Sequence, residues 1–203
     1  MTALILTGFQ LDFLPGGSLS IPEGNNALAT INACMEKFST VLLCKDWHPA
    51  NHSSFAANHL WRRPGQTMTI GGEERMLWDM HCVMNSFGAE LAPQLQLDEI
   101  DKTFTKGTNP EKESYSCFFD EPGISNGLLE YLEDKKIRAL YLAGMPLEYE
   151  IYYTALDSLN RGFKTTILTD ACCALNKQNS ETILAKLHSK GAVLVKSKAI
   201  IKP

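Results

Sequence analysis

The sequence lacks several features that mark common classes of protein. It has no run of about 20 apolar residues, the length that an α-helix needs to cross a bilayer. It also has no lysine or arginine run, and its net charge of −4 argues against binding nucleic acid or an anionic membrane. No basic segment precedes the first apolar run, so the N-terminus is predicted to form a strand rather than a signal peptide. We therefore expect a cytoplasmic protein without a nucleic-acid or membrane partner.

Cysteine pairs with the spacing of zinc or redox motifs are also missing. None of the six cysteines forms a CxxC pair, which argues against thiolate zinc sites and thioredoxin-type chemistry. Because the cysteines are scattered through apolar segments, we predict that they are reduced, buried thiols. No GxGxxG motif follows the first predicted strand, so a dinucleotide phosphate loop is not predicted either.

What the chain does contain is an alternation of apolar strand-like runs with amphipathic helical segments. The predicted strands are Leu4–Thr7, Val41–Cys44, Thr103–Thr105, Ala139–Ala143, Lys164–Leu168 and Ala192–Val195. The predicted helices are Asn25–Phe38, Gly127–Lys136, Glu150–Arg161 and Ser180–Ser189. Apolar strands that alternate with helices predict a parallel sheet covered on both faces. We predict one three-layer α/β/α domain with a doubly wound parallel sheet, spanning residues 1–203.

Residues suited to chemistry follow several of these strands. Gly8, Asp46, Lys106, the pair Met145–Pro146 and Asp170 each come just after a predicted strand. Ligands of such folds bind outside the carboxyl ends of the strands, so we expect these residues at one edge of the sheet. The irregular stretch from residue 47 to 77 is too long for a simple connection, and we predict that it helps to form the site.

A metal site is the first chemical possibility. Asp46 and His48 are two residues apart, so in extended backbone they point to the same face. A carboxylate with imidazoles suits zinc, iron or manganese, and His52, His59 or His81 could add a ligand. On the Asp-x-His pair alone, a histidine that is merely hydrogen-bonded at a strand end is the commoner alternative.

Five motifs in a fixed order make the hypothesis more specific. Their sequences are FQLDFLPGGSL from residue 9, KDWHPANHSSF from 45, WDMHCV from 78, KGTNP from 106 with SYS from 114, and LTDAC from 168. Together they resemble the nicotinamidase/pyrazinamidase family, within the isochorismatase-like cysteine hydrolases. The resemblance implies an isochorismatase-like fold and a small pyridine-type ligand, nicotinamide or nicotinate. Members of that family are often oligomers, so a homo-oligomer is compatible with it.

The resemblance also implies which residues bind the ligand. A divalent metal (zinc, iron or manganese) would be held by Asp46, His48 and His81, with His52 near the metal or its waters, and would bind the pyridine nitrogen. Phe13 and Trp78 match positions that sandwich the ring, although core packing is the simpler alternative for an aromatic residue. Tyr115, in the lysine motif, is expected to line the same pocket.

The catalytic positions depart from the family pattern. Lys106 matches the triad lysine, but Gly8 stands where the family has a catalytic aspartate, and Glu150 stands where it has the nucleophilic cysteine. Pro146 replaces an alanine whose N–H stabilises the oxyanion, and proline has no N–H to donate. We do not expect another cysteine to take over as nucleophile.

Three interpretations follow from these departures. The first is a protein that keeps the metal and ligand pocket but has lost cysteine-dependent amide hydrolysis, a pseudoenzyme. The second is an active hydrolase of nicotinamide, or of a related small amide or ester, that uses a remodelled site of Glu150, Lys106 and metal. The third is a structural subunit with a vestigial site.

Two further expectations concern Glu150. Because a buried lysine needs a counter-charge, we predict an ion pair between Lys106 and Glu150. The alternative is that Glu150 turns to solvent at a helix N-terminus, where a carboxylate is also favourable. We also expect the triple reversion Gly8→Asp, Pro146→Ala and Glu150→Cys to restore activity if the rest of the pocket is intact.

Overall fold

The computed structural model describes residues 1–201, and a parallel β-sheet runs through its centre. Numbered along this part of the chain, the strands are β1 (Thr2–Thr7), β2 (Val41–Asp46), β3 (Thr67–Ile70), β4 (Glu73–Met76), β5 (Lys102–Lys106), β6 (Phe119–Glu121), β7 (Ile124–Ser125), β8 (Ala139–Gly144), β9 (Lys164–Cys172) and β10 (Val193–Val195). The α-helices are α1 (Gly24–Met35), α2 (Leu128–Asp134), α3 (Tyr152–Asn160), α4 (Ser180–Ser189) and α5 (Lys198–Ile201). The central sheet has six strands in the order β10-β9-β8-β1-β2-β5, all pairs parallel.

Helices cover both faces of the sheet, as the alternation of side chains along β1 illustrates. Leu4 and Leu6 point to one face, where they belong to a buried cluster that includes Ile31 of α1. Ala3 and Ile5 point to the other face, into a cluster with buried residues of α2, α3 and α4. This arrangement confirms the predicted three-layer α/β/α fold with a doubly wound parallel sheet.

Two elements differ from their predicted bounds near the site. Residues 147–151 form a π-helical turn, so α3 begins at Tyr152 and not at Glu150. β9 continues to Cys172, four residues beyond the predicted end, and Asp170 therefore lies inside the strand. The Asp170 carboxylate accepts hydrogen bonds from the backbone N–H and hydroxyl of Ser197. The expectation that Asp170 joins the site is wrong, because its side chain secures the segment after β10.

The long excursion after β2 carries a small antiparallel hairpin, β3–β4, that the sequence did not predict. The buried Arg75 of β4 donates a hydrogen bond to the carbonyl of Glu111, with 2.6 Å between the nitrogen and the oxygen. The hairpin is thereby attached to the loop after β5, which contributes residues to the cleft described below.

Two findings concern the chain as a whole. All six cysteines are free in the structure; five of them are buried, and Cys172 is partly exposed. In residues 1–201 no helix combines the length and the apolar character that a membrane crossing requires.

Candidate metal centre and ligand cleft

Three of the predicted metal ligands converge at the carboxyl ends of the strands. Asp46 is the last residue of β2, His48 follows two residues later, and His81 lies beyond the excursion. Asp46 Oδ2 is 3.7 Å from Nε2 of His48 and 3.9 Å from Nε2 of His81. The three possible ligand atoms lie within 4.8 Å of one another, and all three side chains are buried. One carboxylate and two imidazoles at this spacing fit a divalent metal such as zinc.

Backbone carbonyls orient both imidazole rings. Nδ1 of His48 lies 2.9 Å from the Gly107 carbonyl oxygen, and Nδ1 of His81 lies 2.8 Å from that of Asp79. A ring that donates from Nδ1 keeps the lone pair of Nε2 free for a metal. Gly107 permits this close approach, because a Cβ at this position would lie 2.4 Å from a carbon of the His48 ring.

The charges around the cluster favour a cation. Burial lowers the pKa of His81 to about 4, which keeps that ring neutral and able to act as a ligand. Burial also lowers the pKa of His48, but the Asp46 carboxylate outweighs burial and raises it overall. The Asp46 carboxylate therefore draws a proton or a metal ion toward Nε2 of His48.

His52 is beside this cluster rather than in it. Its ring centroid is 4.5 Å from that of His48, but its nitrogens are already engaged. Nδ1 lies 2.7 Å from the Ser54 hydroxyl and Nε2 lies 3.0 Å from the Lys112 carbonyl. The structure therefore places His52 as a support of the neighbouring histidine. The other candidate, His59, turns its Nε2 to the carbonyl of Ser53 at 2.7 Å.

Lys106 ends β5 and is almost completely enclosed, with a relative exposure of 1%. Its ammonium donates to the Asp46 carboxylate, to the Ser114 carbonyl at 2.9 Å and to Glu150 Oε1 at 2.7 Å. The contact with Glu150 confirms the predicted ion pair. Burial lowers the pKa of Lys106, but the charges of Asp46 and Glu150 outweigh burial and raise it well above its ordinary value.

Glu150 is buried on the π-helical turn and does not face solvent. Its second oxygen, Oε2, accepts a hydrogen bond from the Thr7 hydroxyl at 2.9 Å. Burial and the nearby charge of Asp46 raise the pKa of Glu150 well above its usual range, although Lys106 acts in the opposite direction. Two buried carboxylates thus share one ammonium.

Gly8 and Pro146, which the sequence places at two further positions of interest, are also fixed by their surroundings. Gly8 has φ +71°, and a Cβ at this position would lie 1.8 Å from the Met145 carbonyl oxygen. A reversion to aspartate would therefore require the backbone to move, so the structure argues against simple repair by the triple reversion. Pro146 lines the cleft after a cis peptide bond, and its nitrogen has no hydrogen to donate.

The cluster of Asp46, His48 and His81 opens into a narrow cleft. The three predicted aromatic residues, Phe13, Trp78 and Tyr115, all line it. Trp78 donates from its indole N–H to the Tyr115 hydroxyl at 3.3 Å and meets the Tyr149 ring edge-on at 4.8 Å. The cleft thus has aromatic walls suited to a flat ring.

Two further cleft residues were missed in the sequence. Tyr149 directly precedes Glu150, and Glu113 directly precedes the Ser114-Tyr115-Ser116 motif. Their position beside matched motif residues was the available signal. Burial raises the pKa of the Glu113 carboxyl.

No described cysteine lines the cleft. Cys172 and Cys173, at and after the end of β9, are held as thiols because burial raises their pKa values to about 12 and about 11. Cys82 and Cys117 are fully enclosed. None of these four thiols faces the cleft.

Comparison with known families gives one match over nearly the whole chain. Residues 2–199 match the isochorismatase domain. Among curated proteins, the nicotinamidase of Escherichia coli is 37% identical over 201 residues, which cover 95% of this chain and 93% of that protein.

Solved structures agree with this match. The yeast nicotinamidase bound to the inhibitor nicotinaldehyde superposes with a TM-score of 0.91 at 30% identity, covering 97% of this chain and 100% of that one. The pyrazinamidase of Pyrococcus horikoshii in complex with zinc gives a TM-score of 0.79 at 33% identity, covering 96% and 98%.

Proposed function

This chain belongs to the isochorismatase domain family and has nicotinamidases as relatives, and from that premise we propose that it binds a divalent metal and a pyridine-type ligand without cysteine-dependent amide hydrolysis. The observation that carries the proposal is Glu150. A buried carboxylate, held by Lys106 and Thr7, stands at the position where the family motif places the attacking thiol. The metal-binding half of the cleft is intact, whereas the reacting half has been rebuilt.

The retained half supplies the binding. Asp46, His48 and His81 would hold the metal, and zinc is supported by the zinc complex of the Pyrococcus horikoshii pyrazinamidase. The bound metal would act as a Lewis acid for the lone pair of a ring nitrogen. Phe13 and Trp78 would flank the ring, and Tyr115 would close the cleft through its contact with Trp78. The nicotinaldehyde complex of the yeast relative supports nicotinamide or nicotinate as the ligand.

The altered half explains the proposed loss of hydrolysis. Gly8 offers no side chain to accept a proton, and Glu150 has no thiol to attack a carbonyl carbon. Pro146 removes one oxyanion donor, a loss that by itself typically costs about 10²–10³ in rate. Because these defects affect three different components of the mechanism, restoring one of them would leave the other two in place.

One observation favours a second candidate function, a remodelled hydrolase. Glu150 lines the cleft, and burial raises its pKa toward the range in which a carboxylate works as a general base. In that scheme Glu150 takes a proton from a water molecule, the water oxygen bonds to the amide carbon, and ammonia leaves with the transferred proton. The variant Glu150→Gln would then lose turnover while it still bound nicotinamide.

We also propose that residues 1–203 form one isochorismatase-like domain. The match to the family over residues 2–199, and the single central sheet, support this assignment.

Isothermal titration calorimetry tests the binding proposal. Nicotinamide is titrated into metal-free protein, into zinc-loaded protein and into zinc-treated His81→Ala and His59→Ala variants. We expect binding only in the zinc-loaded wild type and in His59→Ala, since His59 lies outside the metal cluster. Equal binding to the metal-free protein, or no binding to a folded, zinc-loaded wild type, would contradict the proposal.

A further inference from the structure

Lys106 and Pro146 have no free donor to offer a ligand carboxylate in the cleft. An ammonium has three N–H donors, and those of Lys106 are all taken by Asp46, Ser114 and Glu150. Lys106 is also enclosed beneath the cleft rather than exposed to it, with 1% of its surface accessible. Pro146 lines the cleft but has no N–H. An anionic ligand group would therefore find neither a charge partner nor a hydrogen-bond donor in these residues.

Acceptors, by contrast, are abundant. The carboxylates of Asp46, Glu113 and Glu150 all line the cleft. Asp46 and Glu150 share one ammonium, and Glu113 makes no ion pair within residues 1–201. Even with a metal ion beside Asp46, Glu150 and Glu113 remain as hydrogen-bond acceptors on the cleft.

Each oxygen of Glu150 has capacity for one more hydrogen bond. Oε1 accepts from Lys106 and Oε2 accepts from Thr7, but each carboxylate oxygen has two lone pairs. A primary carboxamide can donate a hydrogen bond from its NH2 group to either Glu150 oxygen. A ligand carboxylate has no N–H to donate and would be repelled by the Glu150 carboxylate. Repulsion between like charges lowers the affinity for the wrong ligand and so contributes to specificity.

We propose that the cleft selects a neutral pyridine carboxamide over the corresponding pyridine carboxylate, with Glu150 as the acceptor that makes the distinction. This inference rests on the proposed function, because the same metal and aromatic walls would hold both compounds. It gives the substituted nucleophile position a new role. The residue that stands where the family has the attacking thiol recognises the intact amide and disfavours the acid that hydrolysis would release.

The direct test compares nicotinamide with nicotinate on zinc-loaded wild-type protein by calorimetry at neutral pH. We expect nicotinamide to bind at least about tenfold more tightly. Nicotinate binding of equal or greater strength would overturn this inference and leave the proposed function standing. Failure of both compounds to bind would overturn the proposed function and this inference with it.

Variants test whether Glu150 is responsible for the ratio of nicotinamide affinity to nicotinate affinity. Glu150→Gln removes the charge at nearly unchanged shape, and we expect it to reduce the affinity ratio by at least about threefold. Glu113→Gln removes a second carboxylate of the cleft, should reduce the ratio in the same direction, and gives a second readout if Glu150→Gln fails to fold. Glu111→Gln is the matched control, since this exposed carboxylate of the same loop does not line the cleft, and it should keep the wild-type ratio. An unchanged ratio in folded Glu150→Gln or, if that variant does not fold, in Glu113→Gln would overturn the assignment.

Discussion

Glu150 supplies the buried Lys106 ammonium with a second carboxylate partner, and this contact ties the turn before α3 to the end of β5. Two carboxylates around one ammonium leave a surplus negative charge inside the protein. Such a cluster stabilises little by itself, because desolvation offsets much of the attraction. Removing one member is costly, however, because its partners stay buried without full compensation.

The first prediction follows from this asymmetry. Glu150→Ala should lower the free energy of unfolding by roughly 2–3 kcal/mol, below the usual 3–5 for breaking a buried pair because Asp46 still partners Lys106. Urea unfolding measures the change. Glu130→Ala, on the exposed surface of α2, is the control and should change stability by less than about 0.5 kcal/mol. A Glu150→Ala protein as stable as this control would contradict the prediction.

The second prediction concerns Gly8. Gly8→Ala should cost at least about 3 kcal/mol, because the new Cβ would meet the Met145 carbonyl and because φ +71° is strained for any residue with a side chain. Gly162→Ala separates the two effects, since Gly162 has φ +78° but a Cβ added there would have no other atom within 4 Å. It should cost only about 1 kcal/mol.

If the Gly8 and Gly162 variants proved equally stable in urea unfolding, the close contact with Met145 would have no energetic weight. The Gly8→Asp reversion would then be compatible with the fold. Because of the contact with Met145, we expect that adding Gly8→Asp to Pro146→Ala and Glu150→Cys destabilises the fold and does not restore hydrolysis.

At the scale of elements, the central strands and the flanking helices could be predicted because their apolar periods are strong and unbroken. β9 was predicted too short because Thr169 and Asp170 interrupt its apolar pattern, while Ser197 satisfies the aspartate from outside the strand. The π-helical turn was missed because its buried Glu150 has the sequence signature of a helix start. The partners that bury Glu150, Thr7 and Lys106, are far away in the chain, so local sequence could not supply them.

At the metal site, too, some residues could be predicted from local sequence spacing, whereas others depend on contacts between distant parts of the chain. Asp46 and His48 could be paired from their spacing alone, whereas His81 depended on the family resemblance. The exclusion of His52 depended on its contacts with Ser54 and Lys112, which no local pattern encodes.

The third prediction tests that exclusion. His81→Ala should weaken zinc binding by at least about tenfold, as it removes a ligand, while His52→Gln should keep one zinc per chain with less than a tenfold loss. Metal analysis after dialysis gives the stoichiometry, and zinc-dependent thermal stabilisation gives the relative affinity. A His52→Gln protein that lost zinc as completely as His81→Ala would show that His52 is a ligand.

For the whole molecule, loss of the cysteine route requires that no thiol chemistry survives in the folded state. At pH 8, Cys173, with a pKa of about 11, is only about 0.1% thiolate, and five of the six cysteines are buried. The fourth prediction is that a disulfide reagent reacts slowly with native protein and rapidly with six thiols after unfolding. One rapidly reacting native cysteine, protected by nicotinamide, would identify a replacement nucleophile and overturn this expectation.

The central claim is that the molecule still binds the ligand of its relatives but no longer hydrolyses it by the cysteine route. The most direct measurement is a proton NMR time course of nicotinamide mixed with zinc-loaded wild-type protein. We predict shifted or broadened nicotinamide signals, showing binding, with no nicotinate signals accumulating. Conversion to nicotinate and ammonia at rates usual for enzymes, roughly 1–10³ per second, would contradict the claim.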